Sequence, residues 1–240
     1  MENKVFDVLI LTGRPASGKS EIIDFILRTS PEQRVKKFHI GDLTILDDFP
    51  MLWTWFEEDA ILSQILSKPR LHTDEDGYFK YDHLWDLLVE RINLDFRKLR
   101  REISSSQDKS TTIIEFSRGT EHGGYQRALS RLSKDIFARS GVLYVNVSYE
   151  ESLRKNRRRF NPQRPDSILE HSLPDEKLER LYRYDDWSDL TADDPEFLTI
   201  NGIQVPYVVF DNLDDVTTNN PEMLKKRLLK ALNELYNLGC

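Results

Sequence analysis

Val5-Phe6-Asp7-Val8-Leu9-Ile10-Leu11-Thr12 runs directly into Gly13-Arg14-Pro15-Ala16-Ser17-Gly18-Lys19-Ser20, and this junction decides the fold. The first half is a near-continuous apolar run of strand length, suited to a strand buried on both faces of a parallel sheet. The second half matches G-x-x-x-x-G-K-[ST] at every fixed position. Gly13 and Gly18 let the backbone curl so that its N–H groups point inward at phosphate oxygens. A helix expected over 18–29 adds its positive N-terminal end to the same point. Lys19 then reaches the β- and γ-phosphates, and the Ser20 hydroxyl ligates a magnesium ion. Position 21, directly after the motif, is Glu21, so no second hydroxyl follows Ser20 and no cofactor contact is assigned there. The stretch from Gly13 through Ser20 therefore predicts binding of a nucleoside triphosphate, with ATP and Mg²⁺ as the expected cofactors.

Outward from that loop, further apolar runs of strand length lie at Arg34–Ile40, Thr111–Phe116, Val142–Val147 and Val205–Phe210. Helical patterns separate them, over 48–67, 81–103, 121–139, 150–160 and 221–237. Leu84, Leu88, Ile92, Phe96, Leu99 and Ile103 recur at three- and four-residue steps and so share one helical face. The last helix is punctuated by Asn220 as cap, Pro221 in its first turn and Gly239 beyond its end. Five strands with helical crossovers predict a three-layer α/β fold, a parallel sheet with helices on both faces. Phe197–Ile200, Asn201-Gly202 and Ile203–Val205 read as a β-hairpin, since Asn-Gly suits a type I′ turn.

The expected organisation is a single domain over 1–240. It comprises a phosphate-binding core at 1–41, a helical substrate-binding region at 42–105 and core again at 106–153. A charged, proline-bearing lid region at 154–196 follows, then the hairpin, last core strand and final helix at 197–240.

Composition narrows the function classes. The 240 residues carry 34 Lys+Arg against 41 Asp+Glu, a net charge of −7, which argues against a general nucleic-acid binder. No apolar run approaches the ~20 residues of a membrane helix, so no membrane association is expected. The mixed charges of Met1–Asp7 do not resemble a secretion signal. One cysteine, Cys240, leaves no disulfide framework and no CxxC metal site, making a reducing cytoplasm the expected location. His39, His72, His83, His122 and His171 lack metal-ligand spacing and read as structural or exposed.

Five pieces stand in order along the chain: Gly13–Ser20, Asp42 after the second expected strand, Glu115-Phe116-Ser117-Arg118 after the third, the arginines of 154–159 after the fourth, and Phe210-Asp211-Asn212 after the last. With them the sequence resembles the adenylate-kinase-like branch of P-loop proteins, the small-molecule kinases of nucleosides, nucleotides and other metabolites. That resemblance implies a P-loop NTPase fold with strand order 2-3-1-4-5, a substrate-binding helical region after strand two and a lid over the nucleotide. Deoxynucleoside kinases are similar in placing a carboxylate after strand two and Glu-Arg-Ser after strand three, from which this chain departs by Phe116-Ser117 between glutamate and arginine.

Ligands in such sheets bind beyond the carboxyl ends of the strands. Asp42 and Glu115 are expected there, Asp42 as the base for the substrate hydroxyl and Glu115 as the metal partner with Ser20, roles that are interchangeable. Arg118 projects its planar fork toward a phosphate or an acidic substrate group, or else forms a salt bridge to one of those carboxylates. Arg154, Arg157 and Arg158 share a helical face, and as lid cations Arg154 and Arg158 would act on the transferring phosphoryl group while Arg157 assists nucleotide binding. Asn212 is a candidate contact for the base, though Asp-Asn is also ordinary turn chemistry. Phe49, Trp53, Trp55, Phe56, Tyr78 and Phe79 offer flat faces for stacking or core packing.

The expected activity is γ-phosphoryl transfer from ATP to a small-molecule acceptor, a nucleoside or nucleotide first among them. A P-loop NTPase acting as switch or hydrolase, and a non-catalytic nucleotide sensor, are the alternatives. The oligomeric state stays open, a homodimer included.

Overall fold

The computed structural model describes residues 5–102, 110–159, 163 and 172–239. In chain order it contains β1 (Val8–Gly13), α1 (Lys19–Arg28), β2 (Asp42–Asp47), α2 (Phe49–Ala60), α3 (His83–Glu102), β3 (Ser110–Phe116) and α4 (Gly124–Arg131). These are followed by β4 (Ser140–Asn146), α5 (Tyr149–Arg159), α6 (Asp175–Tyr182), β5 (Phe197–Ile200), β6 (Ile203–Asp211) and α7 (Pro221–Asn237), with shorter turns between.

The strands form one sheet in the order β2-β3-β1-β4-β6-β5. Neighbours are parallel from β2 through β6, and β5 pairs antiparallel with β6 at the edge. The five-stranded expectation of order 2-3-1-4-5 is thus corrected to six strands, because the first hairpin strand joins the sheet. The hairpin turns where expected, with Asn201 at φ 50 in the left-handed region its turn requires.

Alternate residues of β1 serve opposite faces, which makes the molecule three-layered. Val8 and Ile10 enter a core with Phe96 of α3, Tyr125 of α4 and Trp187. Leu9 and Leu11 enter a second core with Ile22 and Ile26 of α1 and Leu228 and Leu232 of α7. A third, smaller cluster of Trp55, Leu84 and Leu88 joins α2 to the start of α3.

The second strand is not where the sequence suggests. Arg34–Phe38 winds into a π-helical turn that His39 closes at φ 56. Arg34 and Phe38, four apart, bury on one side of that turn, and the His39 ring stacks on Tyr236 of α7 at 3.8 Å. The strand itself begins at Asp42, where the expectation had already ended it. Of the expected lid, α6 packs down on the body of the protein, whereas 160–162 and 164–171, with Pro162, Arg164, Pro165 and His171, lie outside the described residues, as does Ile103.

Candidate functional site

A cleft of about 800 Å³ opens beyond the carboxyl ends of β1, β2 and β3. Its floor is the loop between β1 and α1. Gly13 approaches Val145 so closely that a Cβ there would lie 2.5 Å from its carbonyl oxygen. Gly18 turns at φ 109, and a Cβ would meet Thr217 Oγ1 at 2.6 Å. Both positions admit glycine only. Pro15, Ala16, Ser17, Gly18, Lys19 and Ser20 all line the cleft. So does Glu21, exposed in the first turn of α1, a position to which the sequence assigns no cofactor contact. It brings a carboxylate to the rim and no hydroxyl.

Lys19 is folded back into this bend. Its ammonium donates to Gly13 O at 3.3 Å, Arg14 O at 3.1 Å and Ser117 Oγ at 2.8 Å, and Glu115 Oε1 lies 4.0 Å away. Burial lowers its pKa, opposed by the charges of Glu115 and Asp47. Ser17 Oγ is buried with no hydrogen-bond partner among the described residues. A cation held by carbonyls and a spare hydroxyl inside a ring of backbone amides is what a phosphate chain would satisfy.

Above the loop stand three carboxylates. Asp47 ends β2, Asp48 follows it, and Glu115 sits beside Asp47 in β3 as its register partner. Burial, then Glu115, then Asp48 push the Asp47 carboxyl up to about 7, although Phe49 N–H donates to it at 2.9 Å. Burial likewise raises Glu115, with Lys19 pulling it back down. Asp48 is paired to Arg118 at 2.6 Å, both side chains at 7% exposure or less.

Asp42 is the principal correction. It is exposed, opens β2 opposite Ser110, and does not line the cleft. Five residues of strand, ~17 Å, separate it from Asp47. The carboxylates that β2 and its end bring to the cleft are Asp47 and Asp48, which the misplaced strand concealed. The run Leu43-Thr44-Ile45-Leu46 before them was the available signal.

The helix α5 is turned by one residue from expectation. Ser152 Oγ donates to Pro15 O at 2.7 Å, pinning α5 to the loop, and Lys155, Arg158 and Arg159 face the cleft. Arg154 points away, to Glu151 at 2.6 Å and Asp215 at 2.8 Å, and Arg157 pairs with Asp175 at 2.7 Å outside the cleft. Lys155 is buried against Asp215 Oδ1 at 2.9 Å and Thr217 Oγ1 at 3.1 Å, leaving Arg158 and Arg159 as the more exposed cations.

Two expected nucleotide contacts serve the scaffold instead. The Arg14 guanidinium reaches Asp185 at 2.6 Å, Tyr182 O at 3.3 Å and Arg183 O at 3.2 Å, so it fastens the loop to the end of α6. Asn212 is fully buried, donating to Ser17 O at 2.7 Å and Thr217 Oγ1 at 2.9 Å and accepting from Thr217 N. Neither lines the cleft.

The far wall is aromatic. Phe49, Trp53, Phe56, Tyr78, Phe79 and Trp85 line it, while Trp55 is buried behind, stacked on His72 at 4.8 Å. His122, read from sequence as structural or exposed, also lines the cleft and stacks on Trp85 at 3.8 Å. Among the described residues no group of three or more His, Cys, Asp or Glu could by itself hold a metal ion. No described helix is long and apolar enough to cross a membrane.

No family model matches the chain, and no curated protein matches it. Among solved structures it is similar to an unliganded sugar kinase from Janibacter sp. HTCC2649, at 14% identity and TM-score 0.44, covering 98% of this chain and 99% of that one. It is also similar to a "putative kinase" from Chloroflexus aurantiacus J-10-fl, at 10% identity and TM-score 0.47, covering 96% and 99%. Similarity at this level assigns no family.

Proposed function

We propose that this protein is a phosphotransferase, a kinase that passes the γ-phosphoryl group of ATP to a hydroxyl of a small-molecule acceptor, a nucleoside or nucleotide first. One observation carries the reading. The buried Lys19 ammonium, in its glycine bend, shares a single cleft with Asp47, Glu115 and the cations of α5.

Phosphoryl transfer needs positioning and charge neutralisation more than covalent chemistry. In this proposal the loop amides and Lys19 hold the β- and γ-phosphates, and Arg158 and Arg159 neutralise charge on the group in flight. Asp47 takes the proton of the acceptor hydroxyl, since a carboxyl titrating near 7 is matched to that task at neutral pH. Asp48 is committed to Arg118 and is the poorer base.

The donor set fits a magnesium ion that arrives with the phosphates, because such an ion keeps several waters and takes only one or two protein ligands. Ser20, exposed at the start of α1, and Glu115 are the residues that would hold it. Its chemistry is to neutralise charge on the β- and γ-phosphate oxygens.

The aromatic wall gives the acceptor a dry, flat-sided compartment, and excluding water protects the phosphoryl group from hydrolysis. The test is ADP release across a panel of nucleosides, nucleotides and sugars. Slow release alone and rapid release with one acceptor is the expected outcome. Rapid hydrolysis that no acceptor accelerates would instead establish a switch or hydrolase, and binding without turnover a sensor.

A further inference from the structure

Two nitrogens of cleft-lining side chains are buried without a hydrogen-bond partner among the described residues, Arg118 Nη2 and His122 Nε2. Both side chains attend one ring. His122 stacks on Trp85 at 3.8 Å, and the Arg118 guanidinium carbon lies 5.3 Å from the Trp85 centroid.

The chemistry of the pair is specific. Arginine nitrogens only donate. The Gly119 N–H donates to His122 Nδ1 at 3.4 Å, which leaves the ring proton on Nε2. Burial, with the charge of Arg118, pushes His122 down to about 3, so its ring is neutral at pH 7. The charge of Arg118 is itself balanced by Asp48 at 2.6 Å.

This wall thus presents two donors and no net charge. An anion placed against this pair would gain no unbalanced cation from Arg118 or His122 and would face Asp48 and Asp47. A neutral oxygen lone pair meets the demand, and it removes the cost of leaving buried donors unpaired.

Resting on the phosphotransfer reading, we propose that the acceptor is a flat heterocycle bearing a ring carbonyl, whose oxygen is received by Arg118 Nη2 and His122 Nε2 beside Trp85. Nucleosides with an oxo group at purine C6 or pyrimidine C4 are then favoured over counterparts that lack it at that position. A site built to hydrogen-bond one group strongly rejects the analogue without it, because its own polar groups are left unpaired.

Titration calorimetry with matched ligands tests this, in the presence of magnesium and a non-hydrolysable ATP analogue. The pairs are inosine against purine riboside, which differ at C6, and uridine against pyrimidin-2-one riboside, which share the 2-oxo group and differ at C4. In the unmodified protein at least one oxo nucleoside should bind tenfold or more tightly than its counterpart. In His122→Phe, which keeps a ring against Trp85 and lacks the donor, that preference should vanish while the ATP analogue still binds. Equal affinity within both pairs overturns the proposal, and so does a preference that survives His122→Phe. Binding of none of the four, with the ATP analogue still bound, also overturns it while leaving phosphotransfer to be judged by the wider acceptor panel. The comparison in unmodified protein decides even where the variant does not fold.

Discussion

Asp47 and Glu115 are register partners at the carboxyl ends of β2 and β3, so two carboxyl groups share one largely buried spot beside the Lys19 ammonium. Burial raises both of them, the charge of Glu115 raises Asp47 further, and Lys19 pulls both back down. The arrangement is poor for stability. It suits a site where a proton must be taken up at neutral pH.

Asp47→Asn should leave ATP binding intact and lower turnover by about 10²-fold or more, the usual size of a general-base effect. Asp42→Asn should change neither, since Asp42 stands at the opposite end of β2. Steady-state kinetics of the two variants separate the sites, and the opposite ranking would return the base role to Asp42.

The same carboxyl predicts a pH profile. A base must be deprotonated to act, so kcat/KM should rise with pH through a midpoint near the Asp47 value of about 7. The stability effect has the opposite sense. Between the ordinary 3.8 and about 7 the folded protein keeps a proton that the unfolded chain has released, so this contribution is present at low pH and lost as pH rises through about 7. Asp47→Asn should therefore gain more over the parent at pH 8 than at pH 5, the two converging only near the ordinary carboxyl value of 3.8. Thermal scans at the two pH values check this.

Gly18→Ala should abolish triphosphate binding. Its Cβ would sit 2.6 Å from Thr217 Oγ1 and 2.8 Å from Asn212 Nδ2, at a φ of 109 that side-chain-bearing residues rarely adopt. Lys19→Ala should also lose binding, without the steric clash, though it removes the ammonium's bonds to Gly13 O and Arg14 O. Calorimetry with Mg·ATP measures both, and circular dichroism distinguishes the distorted loop from the missing charge.

Arg14→Ala should cost about 3 kcal/mol of stability, since it leaves the Asp185 carboxylate largely buried without its cation. Its effect on ATP affinity should be small, because the guanidinium lies outside the cleft. Denaturant unfolding and nucleotide titration together test that division of labour.

Arg158→Ala and Arg159→Ala should each lower turnover roughly tenfold or more, from the weight of charge stabilisation in phosphoryl transfer. Arg154→Ala should act on stability alone, through Glu151 and Asp215. Turnover loss confined to Arg154→Ala would overturn the orientation of α5 described above.

What the sequence by itself determined is local and chemical. A strand feeding a glycine bend, the lysine and serine at the start of α1, and the alternation of apolar runs with helical stripes all follow from backbone sterics and hydrophobic periodicity. They placed β1, β3, β4, the hairpin and α7 within a few residues.

What only the tertiary structure decided is which side chains meet. Residues 34–40 carry a hydrophobic content that serves strand or helix equally, and packing against α7 chose the π-helical turn, moving β2 and exchanging Asp42 for Asp47. The arginine run on α5 fits several faces until Ser152 is docked on Pro15, and Arg14 and Asn212 look like ligands of phosphate and base until Asp185, Ser17 and Thr217 engage them. Charge tells what a residue can bind. Only the fold, by burying some partners and excluding others, settles what it does bind.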